Sequence, residues 1–300
     1  MKRGVGPRQP SKLGRQSAVR PTRGGEKLDP VATAAPAKKS GRGRKLPIAK
    51  EKVAKDEITA KVTAKPAEKK SPAKLRHDPL APERIKAILR ELEEMYPNVR
   101  CALNHSSAWE LLVATILSAQ CTDARVNMVT PILFKKYPTV HDFAILKPEE
   151  LEPDIKSTGF FRNKAKSVVG AAKKIVGDFH GEVPKNFDQL LSLPGVARKT
   201  ANVVLGSWFG IADGIVVDTH VHRISRRLEL TTNNDPVRIE QDLMKIIPRE
   251  KWIDFSHEVI HHGRALCTAR TPRCAECKLE PNCHAGDKTW STVEQNPEAC

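Results

Sequence analysis

The stretch that decides the fold is Leu191-Ser-Leu-Pro-Gly-Val-Ala-Arg-Lys-Thr-Ala-Asn-Val-Val204. A helix over roughly Phe187 to Leu193 is expected to end at Pro194–Gly195, and a second to begin near Ala197. Two helices joined by so short a Gly-containing turn make a helix–hairpin–helix. The turn and the start of the second helix carry unpaired backbone N–H groups. With the positive end of the helix dipole they form a phosphate site that ignores base sequence. By composition alone, an ordinary αα-corner fits the same residues. Lys199 stands in the first turn of the second helix, where a cation opposes the dipole. Locally unfavourable choices are expected at functional sites. Roughly one free lysine in 10³ is an amine at neutral pH, so a nucleophilic Lys199 asks for partial burial, with the dipole, to favour the neutral form. On physics alone a phosphate-contacting surface lysine is the simpler reading.

Working outward, apolar residues recur at helical spacing. Trp109, Leu112, Val113, Ile116 and Leu117 follow Ser106 and Ser107 as candidate N-caps; Ala165, Val168, Val169, Ala172 and Ile175 form a second set, and Ala201, Val204, Leu205 and Trp208 a third. Strand-like alternation is almost absent. Pro148, Gly159, Gly181 and Pro194–Gly195 punctuate the chain at intervals that leave helices of ordinary length. The body is expected to be all-α, with around ten helices.

The formal net charge is +16, but it is unevenly placed. Residues 1–80 hold 22 Lys and Arg against 7 Asp and Glu, whereas residues 81–300 hold 29 against 28. The basic segment has no Phe, Trp or Tyr and carries nine of the 22 prolines. It has too little apolar surface to offset its ordering entropy and is expected to be disordered. Its cations suit a sequence-independent, salt-sensitive attraction to DNA, or simply solubilise the chain. The reading is therefore a tail at 1–79, a folded domain at 80–284 and a C-terminal extension at 285–300. No apolar run approaches the ~20 residues needed to span a membrane, and no secretory h-region is visible. The Arg-rich, acid-poor start, Lys2 to Arg23, leaves an organelle transit peptide as an alternative.

Four of the seven cysteines fall within 17 residues, as Cys267-x6-Cys274-x2-Cys277-x5-Cys283. An odd total with one tight cluster points to a reducing compartment and a metal site, not a disulfide framework. Four soft thiolates suit zinc or iron–sulfur ligation, and spacing does not separate the two. Cys101, Cys121 and Cys300 are read as ordinary thiols.

Taken together, these residues resemble the endonuclease III family, nearest its bacterial form. Leu193-Pro-Gly-Val-Ala-Arg-Lys-Thr-Ala-Asn-Val-Val204 is similar to that family's helix–hairpin–helix, and Val217-Asp-Thr-His220 to the segment carrying its catalytic aspartate. Gln120, in Leu117-Ser-Ala-Gln-Cys-Thr-Asp123, matches a glutamine that enters the DNA helix when the damaged nucleotide is flipped. The resemblance runs from about residue 82 to 284. It implies a helix–hairpin–helix DNA glycosylase fold of two helical lobes, acting on double-stranded DNA that contains damaged bases or abasic sites. It also implies one [4Fe-4S] cluster on Cys267, Cys274, Cys277 and Cys283.

The implied chemistry is bifunctional. Lys199 attacks the deoxyribose C1′ and expels an oxidised pyrimidine; Asp218 helps deprotonate the lysine and stabilises the positive sugar. The Schiff base then permits β-elimination 3′ to the lesion. His220 is expected near the flipped nucleotide or a phosphate, or as a buried structural histidine. Gly195 and Ala197 are expected to face a phosphate. Arg270 and Arg273, in the cysteine loop, are expected to reach phosphates.

Three positions depart from the family pattern. Ala197 stands where a second glycine is usual; it is costly only if the backbone there needs φ > 0, and first-turn helical geometry is expected instead. Phe160, in Thr158-Gly-Phe-Phe-Arg-Asn-Lys-Ala165, stands where a leucine often wedges toward the orphaned base, a gap an aromatic also fills by stacking. Thr271 stands where a lysine is frequent. A monomer is expected, in the cytoplasm with the nucleoid for a bacterial host, or in the nucleus or mitochondrion for a eukaryotic one. Two rival readings keep the scaffold: a monofunctional glycosylase, and a non-catalytic iron–sulfur DNA-binding protein.

Overall fold

The computed structural model describes residues 77–299. Among the described residues there are eleven α-helices and no strand; one isolated parallel bridge joins Ala285 to Asn296. The all-α expectation holds. The expectation of a disordered tail lies outside the described residues except at its end. His77 Nε2 lies 2.7 Å from a Glu229 carboxylate oxygen, and Arg84 donates to the Pro79 carbonyl at 2.5 Å. His77 to Pro79 thus belong with the body.

The helices form two lobes, each with its own core. The chain enters through α1 (Pro82–Met95), which belongs to the second lobe. It then builds the first lobe from α2 (Ala108–Leu117), α3 (Asp123–Lys136), α4 (Val140–Ala144), α5 (Pro148–Ile155), α6 (Phe161–Asp178), α7 (Phe187–Leu191) and α8 (Arg198–Ser207). It returns for α9 (Thr219–Arg227), α10 (Pro236–Ile246) and α11 (Trp252–Ala265).

The amphipathic stripe expected at Trp109–Leu117 turns out wider than a stripe. Eight of the ten residues of α2 are buried, so this helix is the axis of the first lobe, with α3, α6 and α8 packed around it. Ser107 is its N-cap, accepting from the Glu110 amide at 3.1 Å, while the Glu110 carboxylate reaches back to the Ser106 amide and hydroxyl. In the second lobe, Ile85, Ile88 and Leu92 of α1 meet Val221 and Ile224 of α9 and Phe255 and Val259 of α11. The approach of α9 to α11 depends on Gly263, where an added Cβ would stand 2.6 Å from His220 Nδ1.

One buried carboxylate ties the lobes together. Glu240 of α10, 3% exposed, accepts from Arg198 Nε at 2.5 Å and from Asn202 Nδ2 at 2.8 Å, both on α8. A buried carboxylate is tolerable only when paired and hydrogen-bonded, and here the pairing fixes the hairpin's second helix against the other lobe.

Candidate active site and metal centre

The hairpin forms as the sequence predicts. Its first helix, α7, ends at Leu191, two residues earlier than expected, and the turn runs to Ala197. Gly195 has φ +78°, and a Cβ there would lie 2.4 Å from the Ser167 Cβ, so both backbone conformation and space demand glycine. Ala197 has φ −96° and ψ 170°. It is the N-cap of α8 rather than part of its first turn, and it bears no left-handed strain. Because alanine has no side-chain acceptor, the first amides of α8 receive no side-chain cap, which leaves them to an external anion.

Lys199 follows on the first turn of α8 and is exposed, as the simpler reading of a surface lysine has it, without the partial burial that would favour a neutral amine. It stands at the edge of a pocket between the lobes, which Asp218 also lines, together with Thr115 and Ser118 of α2 and His257, His261 and Arg264 of α11. Lys199 and Asp218 thus line one pocket, whose α11 wall the sequence reading missed. Asp123 of α3 and Arg264 of α11, which line the pocket and pair at 2.7 Å, were within reach, since both adjoin motifs already singled out.

Asp218 is held by its own helix. It is the N-cap of α9, and its Oδ1 accepts from the amides of His220 and Val221, both at 2.8 Å. The positive end of that helix favours an anion at this position. His220 lies behind the pocket instead of lining it: it is half-buried against Gly263, with Nδ1 3.3 Å from Arg223 Nη2. Burial pushes its pKa below the usual histidine value.

Gln120 and Phe160 occupy two separate loop tips. Both are exposed, and both hold left-handed backbone without being glycine, with φ 53° and 48°. Such conformations cost about 1 kcal/mol or more and concentrate at functional sites.

All four clustered cysteines line one cavity in the second lobe. Arg227, 4% exposed, donates to Cys267 Sγ at 3.1 Å and to the Thr268 carbonyl at 2.8 Å. Arg223 donates to the carbonyls of Gly263 and Cys267. Burial pushes the Cys277 thiol up to about 12 and the Cys283 thiol to about 11. Soft donors ringing a cavity, disfavoured as bare thiolates by burial but met by an arginine, suit a cationic iron–sulfur or zinc centre. Among the described residues no group of three or more His, Cys, Asp or Glu side chains is closed around a metal-ion position. Of the two loop arginines, Arg270 is exposed, while Arg273 donates to the Ala265 carbonyl at 2.7 Å and pairs with Glu276 at 3.1 Å.

Residues 113–249 match the family described as HhH-GPD superfamily base excision DNA repair protein. The chain is 56% identical to the endonuclease III of Synechocystis sp. over 201 residues, 67% of this chain and 92% of that protein. It is 47% identical to the Bacillus subtilis endonuclease III over 207 residues, 69% and 94% of the two chains. The chain belongs to the endonuclease III family. As a member it is a base excision repair enzyme, a DNA glycosylase with AP lyase activity. A solved structure of a trapped endonuclease III–DNA covalent intermediate superposes with a TM-score of 0.65 at 45% identity, covering 68% of this chain and 96% of that one. A thermostable thymine-DNA glycosylase, at 23% identity and a TM-score of 0.60, shares the fold. Endonuclease III membership covers the two lobes described above and no more than about two thirds of the chain. Among the described residues no helix is long and apolar enough to cross a membrane.

Proposed function

We propose that Lys199 is the nucleophile and Asp218 its partner in removing oxidised pyrimidines from duplex DNA. The observation that carries this is their meeting in one pocket between the lobes, the lysine on the hairpin helix and the aspartate capping another. The Lys199 Nζ lone pair attacks C1′ as the base leaves with the glycosidic electrons. Asp218 takes the lysine proton and faces the positive charge of the sugar. Its Oδ1 is engaged by two amides, so Oδ2 is the oxygen left for this exchange. The C1′–O4′ bond then opens as the nitrogen forms the iminium, O4′ taking up a proton, and loss of the C2′ proton expels the 3′ phosphate, a β-elimination that cuts the strand 3′ to the lesion. Lys199 needs no buried resting state in this scheme, because substrate filling the pocket excludes water from the amine.

The uncapped amides around Gly195 and Ala197 would grip a phosphate, Gln120 and Phe160 would fill the space left by the extruded nucleotide, and Arg270 with Arg273 would reach the flanking backbone. That the 45% identical relative was solved as a trapped covalent intermediate with DNA supports DNA contact and covalent chemistry on this scaffold. Cys267, Cys274, Cys277 and Cys283 would hold one [4Fe-4S] cluster, whose work is to pin the arginine-bearing loop. The cations of the basic N-terminal segment would add a salt-sensitive attraction to DNA.

The test is excision on a duplex containing thymine glycol. Wild type releases the base and nicks the strand; Lys199→Ala does neither. Base release and nicking that survive in Lys199→Ala would remove Lys199 as nucleophile, and neither activity in the wild type would put oxidised pyrimidines outside its lesion range.

A further inference from the structure

We propose that Lys164 is a positioning residue for lesion extrusion, a buried clamp that sets the two DNA-entering tips, Gln120 and Phe160, at a fixed separation. The inference rests on the reading of those tips given above.

Lys164 lies on α6 and is 5% exposed. Its Nζ donates to the Leu117 carbonyl at 2.8 Å and to the Thr158 carbonyl at 2.8 Å. Leu117 is the last residue of α2, three before Gln120. Thr158 closes a short 3-10 turn, two before Phe160. Carbonyls at helix ends lack intrahelical donors and carry the negative end of the dipole. One ammonium therefore serves both ends, with no carboxylate in salt-bridge range of it among the described residues. As a device for stability alone this is a poor choice. Burying a cation without a counter-ion is expensive, and a serine or a water caps a carbonyl at less cost. A lysine does what those cannot: it joins two chain segments separated by about 40 positions. Beyond each clamped carbonyl the chain enters a left-handed residue whose side chain is exposed. Such strain persists only where the surroundings over-determine it. A clamp behind both tips supplies that, and it sets how deeply they enter a helix together. A misplacement on the order of 1 Å at such a point costs up to about a hundredfold in rate.

The experiment uses the full chain and a thymine glycol duplex carrying 2-aminopurine beside the lesion, with stopped-flow fluorescence reporting extrusion. Lys164→Met is expected to slow the extrusion phase about tenfold. Borohydride trapping at an abasic site in a single strand, which needs no helix to be opened, should stay within about twofold of wild type. In a Gln120→Ala/Phe160→Ala background, adding Lys164→Met should change nothing further. If Lys164→Met does not fold, Lys164→Gln, which retains a donor, takes its place in the same scheme. Equal slowing on duplex and single strand, or an undiminished effect in the background lacking both tips, would overturn the clamp and leave only a structural lysine. A normal extrusion rate in Lys164→Met beside an impaired Gln120→Ala/Phe160→Ala variant would overturn the clamp alone. A normal rate in Gln120→Ala/Phe160→Ala would remove the reading of the tips, and the clamp with it.

Discussion

On the proposed mechanism Asp218 carries two duties through one side chain, and they separate chemically. Capping α9 requires a short acceptor, a role that Asn fills about as well as Asp. Sharing a proton with Lys199 requires the ionised carboxylate. Asp218→Asn should therefore change stability by no more than about 0.5 kcal/mol in urea titration, while excision falls by about 10²–10⁴. Asp218→Ala should lose the chemistry and about 1 kcal/mol of stability as well, since the His220 and Val221 amides lose their acceptor. If Asn and Ala lowered stability equally, the cap would not be what holds this carboxylate in place. Lys199 shows the limit of reasoning from residue type. Its position in the first turn was legible in the chain, but its exposure was not, because exposure depends on how the lobes stand around the pocket.

At the scale of elements, the hairpin was the most legible feature and its turn the most specific. Gly195→Ala meets both a left-handed backbone and Ser167, so it should cost about 1–3 kcal/mol and weaken duplex binding by displacing the α8 amides. Ala197→Gly, at an extended N-cap with no partner, should alter stability by only a few tenths of a kcal/mol. Comparable losses in both variants, measured by thermal melting and by duplex affinity, would mean that the turn does not work as described. Helical periodicity located α2, α6 and α8, because each buries a face whose apolar residues recur at the helical period. It did not show that α1 joins the lobe built by the end of the chain. That pairing rests on contacts of Ile88 and Leu92 with residues some 130 positions or more away, which no local pattern records. Lys164 escaped for the opposite reason: a lone lysine on a helix normally reads as solvated, and only the packing reveals it as buried.

Across the whole molecule, the C-terminal segment has the least legible role, since residues 285–299 have no apolar periodicity. In the fold they cover the cysteine-lined cavity. Lys288, in a buried pair with Glu280 at 2.5 Å, also donates to the Cys283 carbonyl at 2.9 Å, and Asp287 pairs with Arg227. Ala285, Asp287 and Lys288 line the cavity themselves. With a cluster bound, removal of residues 285–299 should leave iron content at isolation near wild type but accelerate the loss of visible absorbance in air several-fold. Bleaching at the wild-type rate would show that the segment does not shield the cavity. The charge of the molecule divides the same way: the body is nearly neutral, so its grip on DNA depends on a few placed donors rather than on net charge.

The covalent role of Lys199 is tested most directly by locating the bond itself. Borohydride reduction during reaction with a duplex abasic site, followed by nuclease and protease digestion and peptide mass spectrometry, should find the deoxyribose remnant on Lys199. An adduct on the N-terminal amine or on any other lysine, with Lys199 unmodified, would contradict it.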